Sequence, residues 1–300
     1  MAGLKTYDFT TVPPVLVNEC GIKSPRSFEL DASKVTSYVG EFDKTQKILY
    51  PGVFLGSSAN GTVRALPRTK LADALTASST TTFNVSANTA RHFVAGEALK
   101  VIAPMAVFTF ALTWAAADTA TAVIDGVTVT TTAVGASLVT ASAAMATAIN
   151  ANFFLSQKVV AIADGVSKVY VYARDFQSLY TTTASEVTAG TGTFAVAAAA
   201  MVGSTTIGTI LTVDALTDEI VLAAASAVSL PVGLPIGVIT SLPYDTSGGY
   251  GLLSPNETVD LLEGDDENIK GLFIGGTFYE DRLPYVDDQI KGLFPEMVFV

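Results

Sequence analysis

The residue types that perform most enzyme chemistry are scarce in this sequence, which has one histidine and one cysteine among 300 residues. The lone histidine, His92, cannot form a two-histidine metal site and leaves only one possible base for a catalytic triad. No serine occupies a Gly-x-Ser-x-Gly elbow, and the glycines of residues 190–192 do not lead into the Lys-Ser/Thr of a phosphate-binding loop. His92 follows Arg91, and we interpret it as a surface or turn residue. The sequence therefore predicts no enzyme: it offers no catalytic residues, no metal ligands and no cofactor site.

The densest acidic cluster runs from Glu263 to Glu267 and has the sequence EGDDE. Calcium requires about six oxygen ligands from a defined loop, and this stretch lacks the alternating Asp-x-Asp-x-Asp-Gly pattern. We interpret it as a solvated loop, while a cation site and a charged contact with a partner stay open. A pair of glycosidase carboxylates need not be close in sequence, so that alternative also stays open. The aromatic content of 9% argues against a sugar cleft around such a pair.

Composition limits the classes of fold and partner. Hydrophobic residues make up 49% of the chain, largely as Ala and Val, and this usage favours a β-rich shell protein over a helical enzyme. The net charge of −11 argues against nucleic acid as a partner. The longest apolar run, from Met105 to Ala117, is too short to span a bilayer, so we expect no membrane partner. Cys20 alone excludes an internal disulfide and fits assembly in a reducing cytoplasm.

Residues 271–300 contain the clearest succession of elements. An apolar extended run from Phe273 to Tyr279 is ended by Leu283-Pro284, because proline cannot donate to a sheet ladder. Between Tyr285 and Phe294 the apolar residues recur as they do on one face of a short helix. Met297 to Val300 then indicates a last short strand, which we expect to be anchored in a sheet or an interface.

This order of elements resembles the C-terminus of the small lambda-type head decoration (capsid cement) proteins of tailed bacteriophages. The resemblance is carried by the step Gly275-Gly276-Thr277, the acidic residue before Leu283-Pro284, the sequence KGLFP at residues 291–295 and the terminal apolar strand. A weaker match is the sequence YPGVFLG at residues 50–56. The resemblance implies a mainly β fold built on a small β-barrel or β-tulip-like decoration domain.

Three parts of the chain are predicted. Residues 1–30 form an extended N-terminal arm, since Val12-Pro13-Pro14 favours extended or polyproline backbone. We expect the arm to order against a neighbour, and a disordered leader stays open as the alternative. Residues 31–104 and 204–300 together form the β-rich core domain. Residues 105–203 form an insertion between two segments of that core, each of which has the form of a strand, a turn and a hydrophobic-x-Gly step.

The predicted insertion has the pattern of an α+β module in the order hairpin, helix, hairpin. Asp125-Gly126 and Asp164-Gly165 are each flanked by β-forming runs and predict two tight turns. Ser137 can cap a helix from Leu138 to about Ala151, and we expect that helix to cover one face of a sheet.

Three further expectations concern the insertion. Trp114, the only tryptophan, is predicted to lie in its core. Residues 181–201 are rich in Thr, Ala and Gly and are expected to form one or two exposed strands. Because insertions are tolerated where the backbone is exposed, the whole module is expected to project outward.

The resemblance implies a protein on the outer surface of an icosahedral phage head, where non-covalent contacts stabilise the lattice of the major capsid protein. The implied partners are the major capsid protein and further copies of this chain, as a homotrimer, with assembly in the host cytoplasm and a final location on the virion. The residues expected to contact the capsid or a neighbouring subunit are apolar residues of the arm, of its boundary and of the last segment: Val15, Leu16, Val17, Phe28, Leu293, Phe294, Met297 and Phe299.

Two other functions stay open on the sequence. A phage tail tube, baseplate or fibre subunit could use the same β modules, and self-assembly into rings or tubes would favour it. A β-rich hydrolase unrelated to phage structure would be favoured only by an activity for which the residues give no sign.

Overall fold

The structure is a computed structural model that describes residues 22–23, 27–39, 45–49, 52–57, 62–132, 137–176, 178–238, 251–253, 259–260, 267–270, 272–294 and 296–300. Within these residues the chain is mainly β, as the sequence predicts. The described α-helices are Leu138–Ala151 and the short Asp288–Leu293. No helix in this described part is long and apolar enough to cross a membrane.

The strands up to residue 101 are short, and most lie close together in sequence. They are β1 (Ile22–Lys23), β2 (Ser27–Leu30), β3 (Tyr38–Val39), β4 (Thr45–Gln46), β5 (Ile48–Leu49), β6 (Phe54–Ser57), β7 (Val63–Ala65), β8 (Arg68–Lys70), β9 (Thr82–Asn84) and β10 (Ala98–Val101). Single 3-10 turns lie at Ala32–Lys34 and Ala90–His92.

Longer strands and the main helix follow between residues 105 and 196. They are β11 (Met105–Ala111), β12 (Thr119–Ile124), β13 (Val127–Thr132), α1 (Leu138–Ala151), β14 (Val159–Ala163), β15 (Lys168–Ala173), β16 (Thr182–Val187) and β17 (Thr193–Val196). β16 and β17 confirm the strands expected between residues 181 and 201.

The last part of the chain returns to strands and ends with a short helix and a strand. These elements are β18 (Thr205–Asp214), β19 (Glu219–Leu222), β20 (Pro235–Gly237), β21 (Gly251–Leu252), β22 (Val259–Asp260), β23 (Glu267–Lys270), β24 (Phe273–Phe278), α2 (Asp288–Leu293) and β25 (Met297–Phe299). The predicted last strand is therefore confirmed. The predicted helix is confirmed but starts later than Tyr285, because Asp287 is its N-cap and accepts a hydrogen bond from Ile290 N at 2.8 Å.

An eight-stranded sheet, here called the terminal sheet, combines strands from both ends of the chain. Its order is β1-β24-β21-β6-β7-β2-β23, and β25 pairs with β24 in parallel. One buried cluster of this part contains Leu30, Leu55 and Leu272, and a second contains Phe54 and Phe278. The last strand thus packs into a sheet that already contains β1.

A six-stranded sheet, here called the middle sheet, has the order β8-β20-β10-β18-β19-β9. Its strands come from residues 68–101 and 205–237, and its core includes Phe83, Phe93 and Leu99. Residues 31–104 and 204–300, which are predicted to form one β core, supply most of these two large sheets, which have separate buried clusters. They also form two two-stranded sheets, β3-β4 and β5-β22. The division into domains itself stays a prediction.

Residues 105–202 supply two further sheets and the long helix, here called the central module. A four-stranded sheet has the order β14-β15-β11-β17, and a three-stranded sheet has the order β13-β12-β16. Alternate residues of β12 are buried, as expected for a strand with one face on a core. Trp114 is 1% exposed and lies in that core, which confirms its prediction.

The two predicted hairpins of the central module are confirmed. Asp125 and Gly126 both have positive φ, of 49° and 75°, which a tight turn between twisted antiparallel strands requires. Gly165 has φ 73° between β14 and β15. The hairpins lie in different sheets, and α1 contacts strands of both sheets, whereas we expected it to cover one sheet face. Ser137 caps α1 as predicted, its Oγ accepting a hydrogen bond from Thr140 N at 3.3 Å.

Candidate functional site

A buried ion pair connects the middle sheet with the last helix. Nη1 of Arg68, on β8, lies 3.2 Å from Oδ2 of Asp287, and the two side chains are 0% and 5% exposed. The other oxygen of Asp287 caps α2. The Arg68 guanidinium also lies 5.5 Å from the ring centroid of Phe176, which follows β15. One ion pair therefore contacts all three parts of the fold.

Two further ion pairs, both partly exposed, lie near this buried one. Arg174 Nη1 lies 2.8 Å from Asp288 Oδ2, and Lys291 Nζ lies 2.7 Å from Glu280 Oε2. We call these four residues, together with Arg68 and Asp287, the C-terminal junction. A cavity of about 140 Å³ lies within the junction. Because exposed ion pairs add little stability, the buried pair dominates the electrostatics of the junction.

Two tyrosines line the same cavity and keep their protons. Burial raises the pKa of Tyr285 well above its usual value, and the neighbouring Asp287 carboxylate adds to that rise. Burial also raises the pKa of Tyr172 to about 12. Neither phenol can act as a base near neutral pH.

His92 is buried, so the expectation of a surface position was wrong. It closes the 3-10 turn that starts at Ala90 and is 3% exposed. Burial, together with the charges of Arg91 and Arg64, lowers the pKa of His92 to about 3. The side chain is therefore neutral near pH 7 and cannot gain a proton there, which removes it as a general acid.

A second largely buried ion pair links the terminal sheet to the middle sheet. Arg64 Nη1, on β7, lies 2.6 Å from Glu97 Oε1, and its Nη2 donates to the carbonyl of His92 at 3.0 Å. Glu97 Oε2 also accepts from Val94 N at 3.2 Å. This pair fixes the loop before β10 against β7.

The described residues contain no group of three or more His, Cys, Asp or Glu side chains placed to hold a metal ion. Of the acidic stretch 263–267, only Glu267 lies within the described residues, where it begins β23. The cation alternative for that stretch stays open.

The predicted contact residues fall into three groups. Val15, Leu16 and Val17 lie outside the described residues, and the backbones of Phe28 and Leu293 lie in β2 and α2. Phe294 and Met297 are each 6% exposed and pack with Phe278 in the chain's own core. Phe299 is half-buried, and Lys291 Nζ lies 5.8 Å from its ring centroid. Contact of these residues with a second chain stays a prediction.

The exposed apolar side chains near β25 are different residues from those predicted. Val298 is 54% exposed and Val300 is 59% exposed. The backbone there is held along one edge by β24 and the residues that follow it, since Val300 N donates to Phe278 O at 2.9 Å and Glu280 N donates to Val300 O at 3.0 Å. On the same strand β24, Ile22 of β1 is in register with Gly275. Residues from both ends of the sequence therefore meet on β24.

Sequence reasoning missed Arg68, Arg64 and Arg174 because each pairs with a carboxylate far away in the chain. One sequence feature could have pointed to these ion pairs: the predicted helix starts with two acidic residues, Asp287 and Asp288, before Ile290. Two adjacent carboxylates at a helix start can cap the helix. The spacing alone does not show which distant arginine each carboxylate pairs with.

Comparisons with models of protein families and with curated proteins found no match to this sequence.

Proposed function

We propose that this chain is a phage capsid decoration protein, which binds the outer surface of the icosahedral head and stabilises the lattice of the major capsid protein. Its contacts are non-covalent, its partners are the capsid protein and other copies of itself in a homotrimer, and it acts on the virion after assembly in the host cytoplasm. The likeness of residues 271–300 to decoration proteins motivates this function, and the β-rich fold is consistent with it.

One observation supports the proposal most directly: β24 pairs with β1 on the one hand and with β25 on the other. Ile22, which begins β1, therefore lies on the same strand that β25 joins. Val298 and Val300 expose apolar surface on β25 and directly after it. We propose that this part of the terminal sheet belongs to a surface through which a second chain is bound.

The proposal places the contacts of residues 1–21 and β25 on the capsid or on a neighbouring copy. Phe294 and Met297 then act indirectly, because they hold β25 in place from the core side. Many copies of such a weak contact on one lattice give a high overall affinity.

Co-sedimentation with expanded heads that lack the protein tests this function. We expect saturable binding at a fixed ratio to the major capsid protein, and heads that survive higher temperature. Removal of residues 1–21 should abolish binding without unfolding the rest. Full binding by the truncated protein would refute the role of the arm.

A matched pair of substitutions tests the surface near β25. The double change Val298→Glu and Val300→Glu introduces charge on two exposed side chains and should weaken head binding or trimer formation. The control is Val187→Glu on β16, because Val187 is 75% exposed in the central module. Equal binding by both variants would locate the contact elsewhere.

A tail tube, baseplate or fibre subunit is the alternative function. Among the described residues β25 pairs only with β24, and its other edge would equally permit addition of a neighbouring subunit. Self-assembly of the purified protein into rings or tubes, without binding to heads, would favour this alternative.

A further inference from the structure

Two phenylalanines after helix α1 are exposed side by side. Phe153 is 75% exposed and Phe154 is 65% exposed. Their ring centroids are 5.5 Å apart and their planes are nearly perpendicular, at 80°. Large aromatic residues are normally buried, so a pair held in solvent indicates a surface that another molecule covers.

The turn that carries the two rings is fixed by the protein itself. Asn152 Oδ1 accepts hydrogen bonds from Phe154 N and Leu155 N, both at 3.1 Å. Leu155 is 0% exposed and anchors the turn in the core of the central module. Ser156 N donates to Asn152 O at 2.8 Å. The rings are therefore presented by a rigid turn, which lowers the entropy cost of binding.

An open polar depression of about 430 Å³ adjoins this turn. It is lined by Ser156, Gln157, Arg174, Asp175 and Asp288. Ser156 connects it to the aromatic pair, because its Oγ donates to Phe153 O at 3.1 Å and its own carbonyl accepts from Arg174 Nε at 2.8 Å.

Hydrogen bonds within the protein hold the two carboxylates of the depression in place. Asp175 accepts from Ser178 N at 2.9 Å and from the Ser178 hydroxyl, and Asp288 accepts from Arg174. A carboxylate has about four acceptor positions, so Asp288 can take a further hydrogen bond from a ligand beside the one from Arg174.

The charges and the shape select the class of ligand. One arginine and two aspartates give the lining a net negative charge, which disfavours anions such as phosphates and nucleic acids. The depression is too open for a purely apolar small molecule, which prefers an enclosed pocket.

We propose that Phe153, Phe154 and the adjoining depression form a binding site for a neutral saccharide. The C–H face of a sugar ring packs on an aromatic ring, while its hydroxyls donate to Asp175 and Asp288 and accept from Arg174 or Gln157. The low aromatic content of the chain does not conflict with this site, since two rings suffice when both are exposed. The proposal does not depend on capsid binding, because the site lies wholly on α1, β15 and α2 or the turns beside them.

Affinity electrophoresis of the purified full chain tests the proposal. Gels containing dextran, soluble starch or galactomannan serve as neutral probes, and an alginate gel serves as the anionic probe. We expect retardation by at least one neutral polysaccharide and none by alginate. Normal migration in all three neutral gels would overturn the proposal.

Variants assign the binding to the site. The double change Phe153→Ala and Phe154→Ala should raise the apparent Kd about tenfold or more, and Asp175→Asn should raise it less. The control is Val166→Ala, which removes another exposed apolar side chain, 63% exposed, from the same module. Equal retardation of the double variant and the native protein would overturn the proposal.

A basic protein segment is the competing occupant, because guanidinium and ammonium groups also pack on aromatic rings beside carboxylates. An oligo-arginine peptide added to the same assay distinguishes the two. Binding of the peptide at physiological salt, lost in the double phenylalanine variant and with no retardation by any polysaccharide, would overturn the saccharide proposal.

Discussion

Arg68 and Asp287 form a buried ion pair although they lie 219 positions apart in the sequence. The pair is 0% and 5% exposed, and Asp287 simultaneously caps the last helix. A contact between such distant residues can form only after the middle sheet and the C-terminal segment have docked. It therefore reports on the docking of these two parts rather than on the formation of either.

The change Arg68→Met leaves the Asp287 carboxylate buried without its partner. Removal of one member of a buried pair costs about 3–5 kcal/mol, because a lone charge stays desolvated. Urea unfolding should therefore show a large loss of stability. The double change Arg68→Met and Asp287→Asn should recover part of it, since asparagine still caps the helix.

An exposed ion pair provides the control for this prediction. Lys158 Nζ lies 2.5 Å from Asp125 Oδ2, with side chains 41% and 39% exposed. Lys158→Met should cost far less stability than Arg68→Met, since water and salt screen the pair. A loss for Arg68→Met no larger than that for Lys158→Met would contradict the importance of the buried pair.

His92 predicts how stability changes with pH. Its pKa is about 3 in the folded protein against 6.5 in the unfolded chain, because burial and two arginines disfavour the imidazolium. Below pH 6.5 the unfolded state binds a proton that the folded state does not, so stability falls as the pH falls toward 3. Between pH 6.5 and pH 5 the loss from this residue is about 2 kcal/mol.

The variant His92→Gln isolates that contribution. Glutamine does not titrate, so the free energy of unfolding of the variant should fall less between pH 6.5 and pH 5 than that of the native protein. Urea titrations at several pH values measure the difference. Parallel pH profiles for the two proteins would show that His92 is solvated or already protonated.

The sequence predicted the features that depend on neighbouring residues. The turn at Asp125-Gly126 requires positive φ at adjacent positions, and the cap at Ser137 needs only the next few residues. Burial of Trp114 followed from its size and the apolar residues around it.

The features that depend on distant partners could not be predicted in the same way. A β strand carries little information about which other strand it joins, so the sequence could not show that the residues of the predicted β core lie in two large and two small sheets. His92 directly follows an arginine, yet the fold buries it and places its carbonyl within hydrogen-bond distance of Arg64, a residue 28 positions away. Exposure of Phe153 and Phe154 was equally invisible, because an apolar pair after a helix more often packs inward.

Gly192 predicts a strong steric effect in the central module. A Cβ at this position would lie 2.9 Å from the Trp114 ring, which is itself fully packed. Gly192→Ala should therefore displace the indole and cost about 1–3 kcal/mol, as overpacking of a core does. A shift in tryptophan fluorescence together with a lower Tm would report the change.

The control for that substitution is Gly203→Ala. A Cβ at Gly203 meets no atom within 4 Å, and this glycine is not at positive φ. The backbone flexibility lost is similar, so the control should be neutral or slightly stabilising. Equal melting temperatures for the two variants would refute close packing of Gly192 against Trp114.

Deletion of residues 297–300 tests whether β25 belongs to the fold of the terminal sheet. Met297 is 6% exposed, and the strand pairs with Gly276, Thr277 and Phe278. Loss of this apolar burial and of the ladder should cost about 3–5 kcal/mol. Because β24 would lose its neighbour while the central module keeps its own core, hydrogen exchange should accelerate at residues 276–278 and stay unchanged at residues 120–124. Unchanged exchange at both segments would mean that β25 is an appendage available for a partner. Acceleration at both would mean that the parts of the fold unfold as one unit through the Arg68 and Asp287 contact.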